Sequence, residues 1–490
     1  MSLSRRGVLS ASAASLAFSG FARLAHADVT GAGAPLPTSP TSPTSLPLSP
    51  ADYANEIPGY GPLVADPKGL FDLPKGFSYT VISRFGDPMS DGFVTPGKAD
   101  GMACFPLDKT RVILVRNHEL NLRSLHMSAF GPKRELADRL PKDRLFDTDL
   151  NGLPLAGGTT TLVWDLKKRA LESHHLSLAG TSTNCAGGAT PWGSWLSCEE
   201  TTIGGGEGVE KNHGWVFEVP SGLKGVADPV PLRDMGRFKH EAAAVDPRTG
   251  VIYLTEDIND GCCLFYRYLP NDRQAPVKGG RLQALGFVDA DMDRDSRNWG
   301  ERRWSPGQAK KVRWIELEGV ENPYEDLRWR GHEKGAAWFA RGEGLFFGQD
   351  ELYFTCTEGG PGKLGQIMRY RPSPFEGGAT EADQPGELEL FVESSDPRLM
   401  AMCDNIAIAP WGHLYTCEDK QQGVNYLRGL TPDGRLYTIG RNAAVDPRSS
   451  KVNSELAGVC FSPDGTTLFV NVYYPGMTLA ITGPWSRFRR

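Results

Sequence analysis

A short turn that leads directly into an aromatic strand recurs in the second half of the chain and limits the folds available to it. Such turns occupy residues 246–250, 348–351, 409–412, 431–434 and 462–465. In a turn of the Pro-Asp-Gly type, proline fixes φ and glycine accepts a positive φ, so antiparallel strands are joined tightly. Repeated hairpins without long helical periodicity favour a β-propeller over a two-sheet sandwich.

The predicted fold class is therefore all-β: a six-bladed β-propeller with inserted loops and short helices. A chain of 490 residues can supply about six four-stranded blades at roughly 45 residues each. Its 57 Gly and 36 Pro are typical of many short strands separated by turns. The charged and weakly periodic residues 281–330 are the expected insertion.

The N-terminal residues predict export from the cytoplasm. Residues 1–27 contain, in order, a twin-arginine pair, a modest apolar run and a small-residue cleavage site. We expect a signal peptide at 1–27, a disordered Pro/Ser/Thr-rich linker at 28–57 and a single catalytic propeller domain at 58–490. The apolar run is shorter than the roughly 20 residues that span a bilayer, so no stable membrane insertion is expected. The twin-arginine export machinery is thus a predicted partner, and the destination is periplasmic or extracellular.

Charge and cysteine content narrow the function further. The net charge is -6, from 53 basic and 59 acidic residues, and no basic stripe points to nucleic acid. Nine cysteines, an odd number, leave at least one thiol unpaired in an oxidising compartment. No Cys-x-x-Cys pair occurs, so a zinc ribbon is not expected. We predict that Cys198 is the unpaired thiol, protected as a thiolate ligand, and that the protein is a monomer.

A strand within residues 190–201 ends abruptly in Cys198, Glu199 and Glu200. Three potential anions at one strand end repel one another and resist burial unless a cation neutralises them. A thiolate beside hard oxygens suits a transition metal, with Ca2+ or Mg2+ close by. The alternative is a buried structural cysteine followed by two solvated glutamates.

Similar polar groups follow or enter other apolar strands. The candidate metal ligands from these groups are Glu119, Glu241, Asp257, Glu358, Asp404 and Glu418. Inner strand ends converge on one mouth of a propeller channel, so we expect these side chains to meet there. So many carboxylates in one funnel are stable only around several cations. Each group alone is typical of a solvated surface pair, and Glu358 is also compatible with a simple turn.

Several metals in an oxygen-rich site favour hydrolysis of phosphoesters or lactones. Metals polarise the phosphoryl or carbonyl oxygen, generate hydroxide at neutral pH and neutralise the leaving oxygen. They also bind a phosphate dianion without many arginines. Phosphoester hydrolysis is the first hypothesis, and a calcium-dependent phosphodiesterase or lactonase is the second. The third is a non-catalytic propeller that uses calcium for rigidity and binds a cell-envelope partner.

Three segments, residues 184–200, 236–242 and 455–465, resemble the PhoX-type alkaline phosphatases. The string Trp-Gly-x-Trp-Leu-x-Cys-Glu-Glu at 192–200 is the most specific part of the likeness. The resemblance implies a six-bladed propeller with a mixed Fe3+ and Ca2+ cluster in its mouth. It also implies phosphomonoester substrates and a role in phosphate scavenging.

By motif, the resemblance gives metal-ligand roles to Cys198, Glu199, Glu241, Glu119 and Glu455. Replacing Cys198 by serine is accordingly expected to remove iron from a folded protein. The candidate catalytic residues are Cys198, Glu241 and Asp404.

One departure from the family concerns phosphate binding. This chain reads Met402-Cys403-Asp404 where the family, as aligned, has Arg-Pro-Glu. Asp404 can still bind metal in place of glutamate. The missing arginine removes a fork of donors that grips phosphate bidentately, and methionine cannot replace it. Arg116 and Arg237 are the candidates to compensate.

Overall fold

Antiparallel pairing between strands accounts for nearly all of the regular secondary structure. The computed structural model describes residues 52–289, 293–452 and 454–488, so the predicted signal at 1–27 lies outside the described residues. Within those ranges the α-helical part is α1 (Leu327–Glu333). The 3-10 helices are Leu122–Met127, Ala137–Arg139, Lys142–Arg144, Arg233–Met235, Pro276–Lys278, Glu381–Asp383 and Trp485–Arg487. None of the described helices has the length and apolar character needed to cross a bilayer.

The strands are short, as the density of turns predicts. The first are β1 (Leu63–Val64), β2 (Phe71–Pro74), β3 (Ser78–Arg84), β4 (Ala99–Pro106), β5 (Arg111–His118), β6 (Gly157–Asp165), β7 (Ala170–Thr181), β8 (Asn184–Ala189), β9 (Ser194–Glu199), β10 (Val216–Pro220), β11 (His240–Val245), β12 (Ile252–Glu256) and β13 (Phe265–Pro270). There follow β14 (Gly280–Phe287), β15 (Ala309–Glu316), β16 (Gly342–Phe347), β17 (Leu352–Cys356), β18 (Gln366–Arg371), β19 (Glu387–Glu393), β20 (Cys403–Ile408), β21 (Leu414–Glu418), β22 (Tyr426–Leu430), β23 (Leu436–Asn442), β24 (Leu456–Phe461), β25 (Thr467–Val472) and β26 (Met477–Thr482).

Hydrogen bonding groups these strands into sheets in which chain neighbours pair in an up-and-down order. The sheets run β4-β5-β6-β7, β10-β9-β8, β24-β25-β26-β3 and β1-β2-β23-β22-β21-β20. A nine-stranded sheet joins β11-β12-β13-β14 to β19-β18-β17-β16 through β15. The arrangement is all-β and β-propeller-like, which confirms the predicted class, while the count of six blades stays a prediction.

The expected insertion at 281–330 is only partly separate from the sheets. Its first residues belong to β14, which pairs with β13 and β15. β15 then pairs with β19 through Ala309 to Lys311, so it bridges two groups of strands. The prediction placed the start too early because β14 is charged at its exposed beginning and apolar only where it is buried.

The two ends of the globular part meet in one sheet. β3, near the start, pairs with β26, near the end, from Met477↔Arg84 to Thr482↔Ser78. Strand β3 thus completes a four-stranded sheet whose other three strands, β24, β25 and β26, come from the last part of the described chain.

Apolar side chains pack between neighbouring groups of strands rather than in one central core. Phe265 on β13 and Phe354 on β17 stack with ring centroids 4.3 Å apart. Tyr253 on β12 and Leu388 on β19 are fully buried in the same cluster. Sheets stacked face to face bury both faces of each strand, which explains why many strands here read as continuous apolar runs.

Residues 53–56 lie against the edge of the sheet that contains β23. The Ala54 N–H donates to the Arg398 carbonyl at 2.9 Å. The Thr438 and Leu436 N–H groups donate to Asn55 and Glu56 side chains at 2.8 and 2.7 Å. These contacts place 53–56 with the globular part, so the predicted linker boundary at residue 57 is a few residues late.

Candidate metal centre in an acidic cavity

Six antiparallel strand pairs carry a β-bulge at an equivalent place. The pairs are β4–β5, β8–β9, β11–β12, β16–β17, β20–β21 and β24–β25. A bulge locally increases twist and redirects the side chains of the bulged strand. The bulge therefore fixes the direction in which the first residues of each of these strands point.

A backbone hydrogen bond repeats beside each bulge. The accepting carbonyls, here called the rim positions, belong to Lys98, Thr183, Lys239, Arg341, Met402 and Glu455. The donating N–H groups, here called the facing positions, belong to Glu119, Glu200, Asp257, Thr357, Asp419 and Tyr473, at 2.8 to 3.3 Å. Two residues after each rim position come the inner positions, Asp100, Cys185, Glu241, Glu343, Asp404 and Ala457. The shared geometry makes these eighteen residues a structural repeat.

Most residues of the repeat line a cavity of about 330 Å³ that is strongly acidic. Its carboxylates are Asp100, Glu119, Glu200, Asp257, Glu343, Asp404, Asp419 and Glu455. Its cationic side chains are Lys98, Arg341, Lys420 and Arg448. Negative charge therefore exceeds positive charge in a small, partly enclosed volume, and such an excess requires bound cations or protonation.

Within and beside the cavity, three groups of side chains bring potential ligand atoms within 4.8 Å of one another. The groups are Cys185 with Glu200 and Glu241, Asp100 with Glu119 and Glu455, and Glu241 with Glu343 and Asp404. Glu241 belongs to two of the groups and so joins them. The first group combines sulfur with oxygen, as transition metals accept, and the other two offer oxygen only, as Ca2+ prefers.

Glu241 provides a direct test of whether a cation fits. Both of its carboxylate oxygens are buried and accept no hydrogen bond from any described residue. Burial raises the pKa of Glu241 well above its ordinary value, and the Glu343 and Glu200 carboxylates raise it further. Buried polar atoms in native proteins are almost always satisfied. A metal ion bound between Glu241 and its neighbours would supply the missing partner, so the residues fit a metal centre.

The other carboxylates of the groups show the same pattern. Burial raises the pKa of Glu200, Glu343 and Asp404, and neighbouring carboxylates raise it further. The same causes act on Asp100 and Glu455. A divalent or trivalent ion reverses this effect because it favours the ionised carboxylate.

Cys198 lies outside the three ligand groups, which corrects its predicted role as a metal ligand. Its thiol is fully buried in an apolar cluster with Leu196, Val216 and Phe238. Burial alone raises the pKa of the Cys198 thiol, with no charged group acting on it. The thiol at the cluster belongs to Cys185, which has the same offset from its rim position as Glu241 and Asp404. A backbone hydrogen bond defines the rim position from which that offset is counted, so the sequence alone did not identify Cys185.

Glu199 and Glu418, two further predicted ligands, are held by the protein itself. Glu199 accepts hydrogen bonds from His213 Nδ1 at 2.6 Å and from the N–H groups of Ser182, Gly214 and Trp215. Glu418 pairs with Arg428 at 2.8 Å and accepts from two backbone N–H groups. Carboxylates satisfied in this way brace the sheets and are not part of the three ligand groups.

Glu358 also stands apart from the ligand groups. It pairs with Lys363 at 3.2 Å and lies 3.6 Å from Arg341. By contrast, Glu119, Glu200, Glu241, Asp404 and Glu455 all lie in the groups. Asp257 lines the cavity and pairs with Arg341. Four residues of the ligand groups or the cavity lining were not among the predicted ligands: Asp100, Cys185, Glu343 and Asp419.

Comparison with known proteins identifies a matching family model and solved structures with a similar fold. The family model described as Alkaline phosphatase PhoX matches residues 58–168 and 148–476. The structure of Pseudomonas fluorescens PhoX in complex with vanadate, a transition-state analogue, is similar with a TM-score of 0.63 and 20% identity, covering 85% of this chain and 96% of that one. No curated protein sequence matches the chain.

Two lactonase-like structures are more distant. A putative gluconolactonase has a TM-score of 0.38 and 13% identity, covering 86% of this chain and 98% of its own. A putative 6-phosphogluconolactonase from Bacteroides uniformis has a TM-score of 0.36 and 11% identity, covering 81% and 89%. At these scores the likeness carries no argument about function.

Proposed function

The chain belongs to the alkaline phosphatase PhoX family, and we propose that it is an exported, metal-dependent phosphomonoester hydrolase whose metals lie in the acidic cavity. The observation that carries the proposal is the buried, unpartnered Glu241 carboxylate beside Cys185 and Glu200. The related Pseudomonas fluorescens enzyme binds vanadate, a transition-state analogue. Vanadate resembles a phosphoryl group in transfer, so this likeness supports a phosphate ester as substrate.

The proposed fold behind this site is a six-bladed propeller. The six bulged strand pairs and the six rim hydrogen bonds support that count. The pair β8–β9 has one further partner strand, so its blade is three-stranded, and β15 connects two blades at their outer edge.

The proposed metals are Fe3+ at Cys185, Glu200 and Glu241, and Ca2+ at the two all-oxygen groups. The donor types support this division because thiolate suits iron, whereas Ca2+ takes oxygen ligands. When bound, such ions would polarise the phosphoryl oxygens and neutralise charge on the leaving oxygen.

The chain's own residues hold the ligands in place. The Tyr473 hydroxyl donates to Glu119. Asn405 Nδ2 donates to Asp404 Oδ1 at 3.0 Å, and Asn405 Oδ1 accepts from the Gly458 N–H. Such outer contacts orient metal-binding carboxylates and limit the geometries available to a metal. The cavity is partly enclosed by protein, so charges inside it act more strongly on a bound phosphate than they would in bulk water.

Export is proposed to use the twin-arginine signal at residues 1–27. That pathway carries folded proteins, so a metal centre can be assembled before export. The final location is the periplasm or the exterior of the cell, and the protein acts as a monomer there.

Metal analysis and turnover together test the proposal. Protein isolated after export should contain iron and calcium, and should hydrolyse an aryl phosphate at alkaline pH until a chelator is added. Glu241→Gln should lose both metal and turnover. Phosphomonoester turnover that persists after exhaustive chelation would contradict the proposal. Hydrolysis of a lactone or a phosphodiester without the monoester would assign the site to the second hypothesis instead, and calcium without iron or hydrolysis to the third.

A further inference from the structure

We propose that Arg341 binds the non-bridging oxygens of the substrate's phosphoryl group in the acidic cavity. This inference rests on the proposed function, because it names the group that grips the substrate of that same site. Neither Arg341 nor its surroundings stood out in the sequence, where Arg341 precedes a plain Gly-Glu-Gly.

The backbone at Arg341 directs the side chain into the cavity. Arg341 is at a rim position, with φ at +57° and its carbonyl accepting from the Thr357 N–H at 3.0 Å. A left-handed conformation is uncommon for a residue with a side chain and marks a constrained place in the chain. The side chain lines the cavity and is only 12% exposed.

One edge of the Arg341 guanidinium is fixed and the other is available. Nε and Nη2 donate to the two oxygens of Asp257 at 2.9 and 2.7 Å, and Nη2 also donates to Glu343 at 3.2 Å. Nη1 lies 3.6 Å from the Glu358 carboxylate, which is too long for a good hydrogen bond. An anchored guanidinium with an open Nη1 is oriented before the ligand arrives, which reduces the entropy lost on binding.

The other cations of the cavity are less suited to this role. Lys420 pairs with Glu418 at 2.8 Å. Arg448 pairs with Asp446 at 2.6 Å and lies over the Tyr474 ring. Lys98 Nζ lies over the Tyr473 ring, and its flexible stem is not oriented in advance as an anchored guanidinium is.

The arginines suggested by the sequence alone do not reach the cavity. Arg116 is buried and donates to Ser83 at 2.7 Å and Thr160 at 3.1 Å within the sheets. Arg237 donates to backbone carbonyls, among them that of His213 at 2.8 Å. Met402 and Arg341 both hold rim positions, with φ of +52° and +57°. The donor that is missing at residue 402 is therefore supplied at the equivalent position of another strand pair.

The test compares Arg341→Gln and Arg341→Lys with Arg369→Gln in the metal-loaded, full-length protein. Arg369 is a matched control because it pairs with Glu389 at 2.6 Å away from the cavity-lining residues. The readouts are KM and kcat for an aryl phosphate, the inhibition constant of inorganic phosphate, and bound metal. Arg341→Gln should raise KM and the phosphate inhibition constant about 10- to 100-fold, as for one charge-assisted contact. Arg341→Lys should recover part of that loss, and Arg369→Gln should behave as wild type.

Two outcomes would overturn the inference. One is an unchanged phosphate inhibition constant in Arg341→Gln with full metal content. The other is loss of metal in both Arg341 variants that accounts for all of the lost activity, since Arg341 would then act only by holding Asp257 and Glu343. Failure of the proposed function is recognised separately, as a wild type without phosphomonoester turnover. In that case calorimetric titration measures the dissociation constant of inorganic phosphate. The proposal for Arg341 requires an increase of about 10- to 100-fold in Arg341→Gln relative to wild type, and an unchanged constant contradicts it.

Discussion

Glu199 and Glu200 are adjacent in the chain, but only Glu200 faces the acidic cavity. Glu199 is bonded to His213 and to backbone N–H groups, whereas Glu200 joins Cys185 and Glu241. Successive side chains at a strand end point to opposite sides. Glu256 with Asp257 and Glu418 with Asp419 divide in the same way: the first braces the sheets and the second lines the cavity. Each acidic pair thus combines one carboxylate that is bonded within the sheets and one that lines the cavity.

Replacement by serine should have different effects on iron content and stability at Cys185 and at Cys198. Cys185→Ser should lose most of the bound iron, because its sulfur lies within 4.8 Å of the Glu200 and Glu241 oxygens. Cys198→Ser should keep its iron but unfold more easily, by about 1–3 kcal/mol, because a hydroxyl is placed in an apolar cluster. Elemental analysis and thermal unfolding of the two variants check this. Loss of iron in Cys198→Ser alone would contradict the assignment.

Neutralising Glu199 or Glu200 should have opposite effects on the metal-free protein. Glu199→Gln breaks a buried pair with His213 and should cost on the order of 3–5 kcal/mol in the free energy of unfolding. Glu200→Gln removes a repulsive charge near Asp257 and Glu119, so the metal-free protein should be as stable as wild type or more stable.

Urea unfolding after chelation measures both changes in the Glu199 and Glu200 variants. With metals present, Glu200→Gln should no longer be as stable as wild type, because the substitution also removes a metal ligand. An equal destabilisation of the two variants without metal would show that the pair does not divide its roles as the structure indicates.

Stability should depend on pH through His213. Burial on its own lowers the pKa of His213, but the Glu199 and Asp147 carboxylates outweigh burial and raise the pKa to about 9. The folded state therefore holds this proton more tightly than the unfolded state, in which the pKa is about 6.5. The stabilisation is fully present below pH of about 6.5 and is lost as pH rises through about 9.

Comparison with His213→Gln isolates this contribution. The difference in unfolding free energy between wild type and His213→Gln should be largest below neutral pH and should shrink above pH of about 9. Denaturant titrations at a series of pH values measure it. A difference that stays constant from acid to alkaline pH would mean that His213 does not carry the charge that its carboxylate partners favour.

Calcium should stabilise the chelated protein. Repulsion among Asp100, Glu119 and Glu455 weakens the metal-free fold, and a cation reverses it. Calcium at 100 times its dissociation constant should add about 2.7 kcal/mol per site, and magnesium should add less because it favours a smaller, octahedral site. Thermal unfolding with each ion measures the gain. Glu455→Gln is expected to reduce the calcium effect, and Glu358→Gln, outside the ligand groups, is not.

Much of the site could be predicted because many of its carboxylates adjoin apolar runs that are recognisable as strands in the sequence. Glu119, Glu200, Glu241 and Asp404 were identified from their position beside apolar strands, and the structure brings them to one cavity or its edge. Cys185 and Asp100 were missed, although each is the second residue of its strand, as Glu241 and Asp404 are. Cys198 was preferred wrongly because a thiol followed directly in the sequence by two glutamates resembles a set of metal ligands.

The sequence by itself determined the all-β, propeller-like fold, through turns that repeat at similar spacing, and the acidic character of the strand ends. Only the tertiary structure decided which member of each acidic pair faces the cavity, that Cys185 and not Cys198 accompanies Glu200, and that Arg341 stands at a rim position. These choices depend on the bulges, which turn side chains by an amount that local sequence does not specify. They also depend on the closure of β3 against β26, which completes one sheet from the two distant ends of the domain.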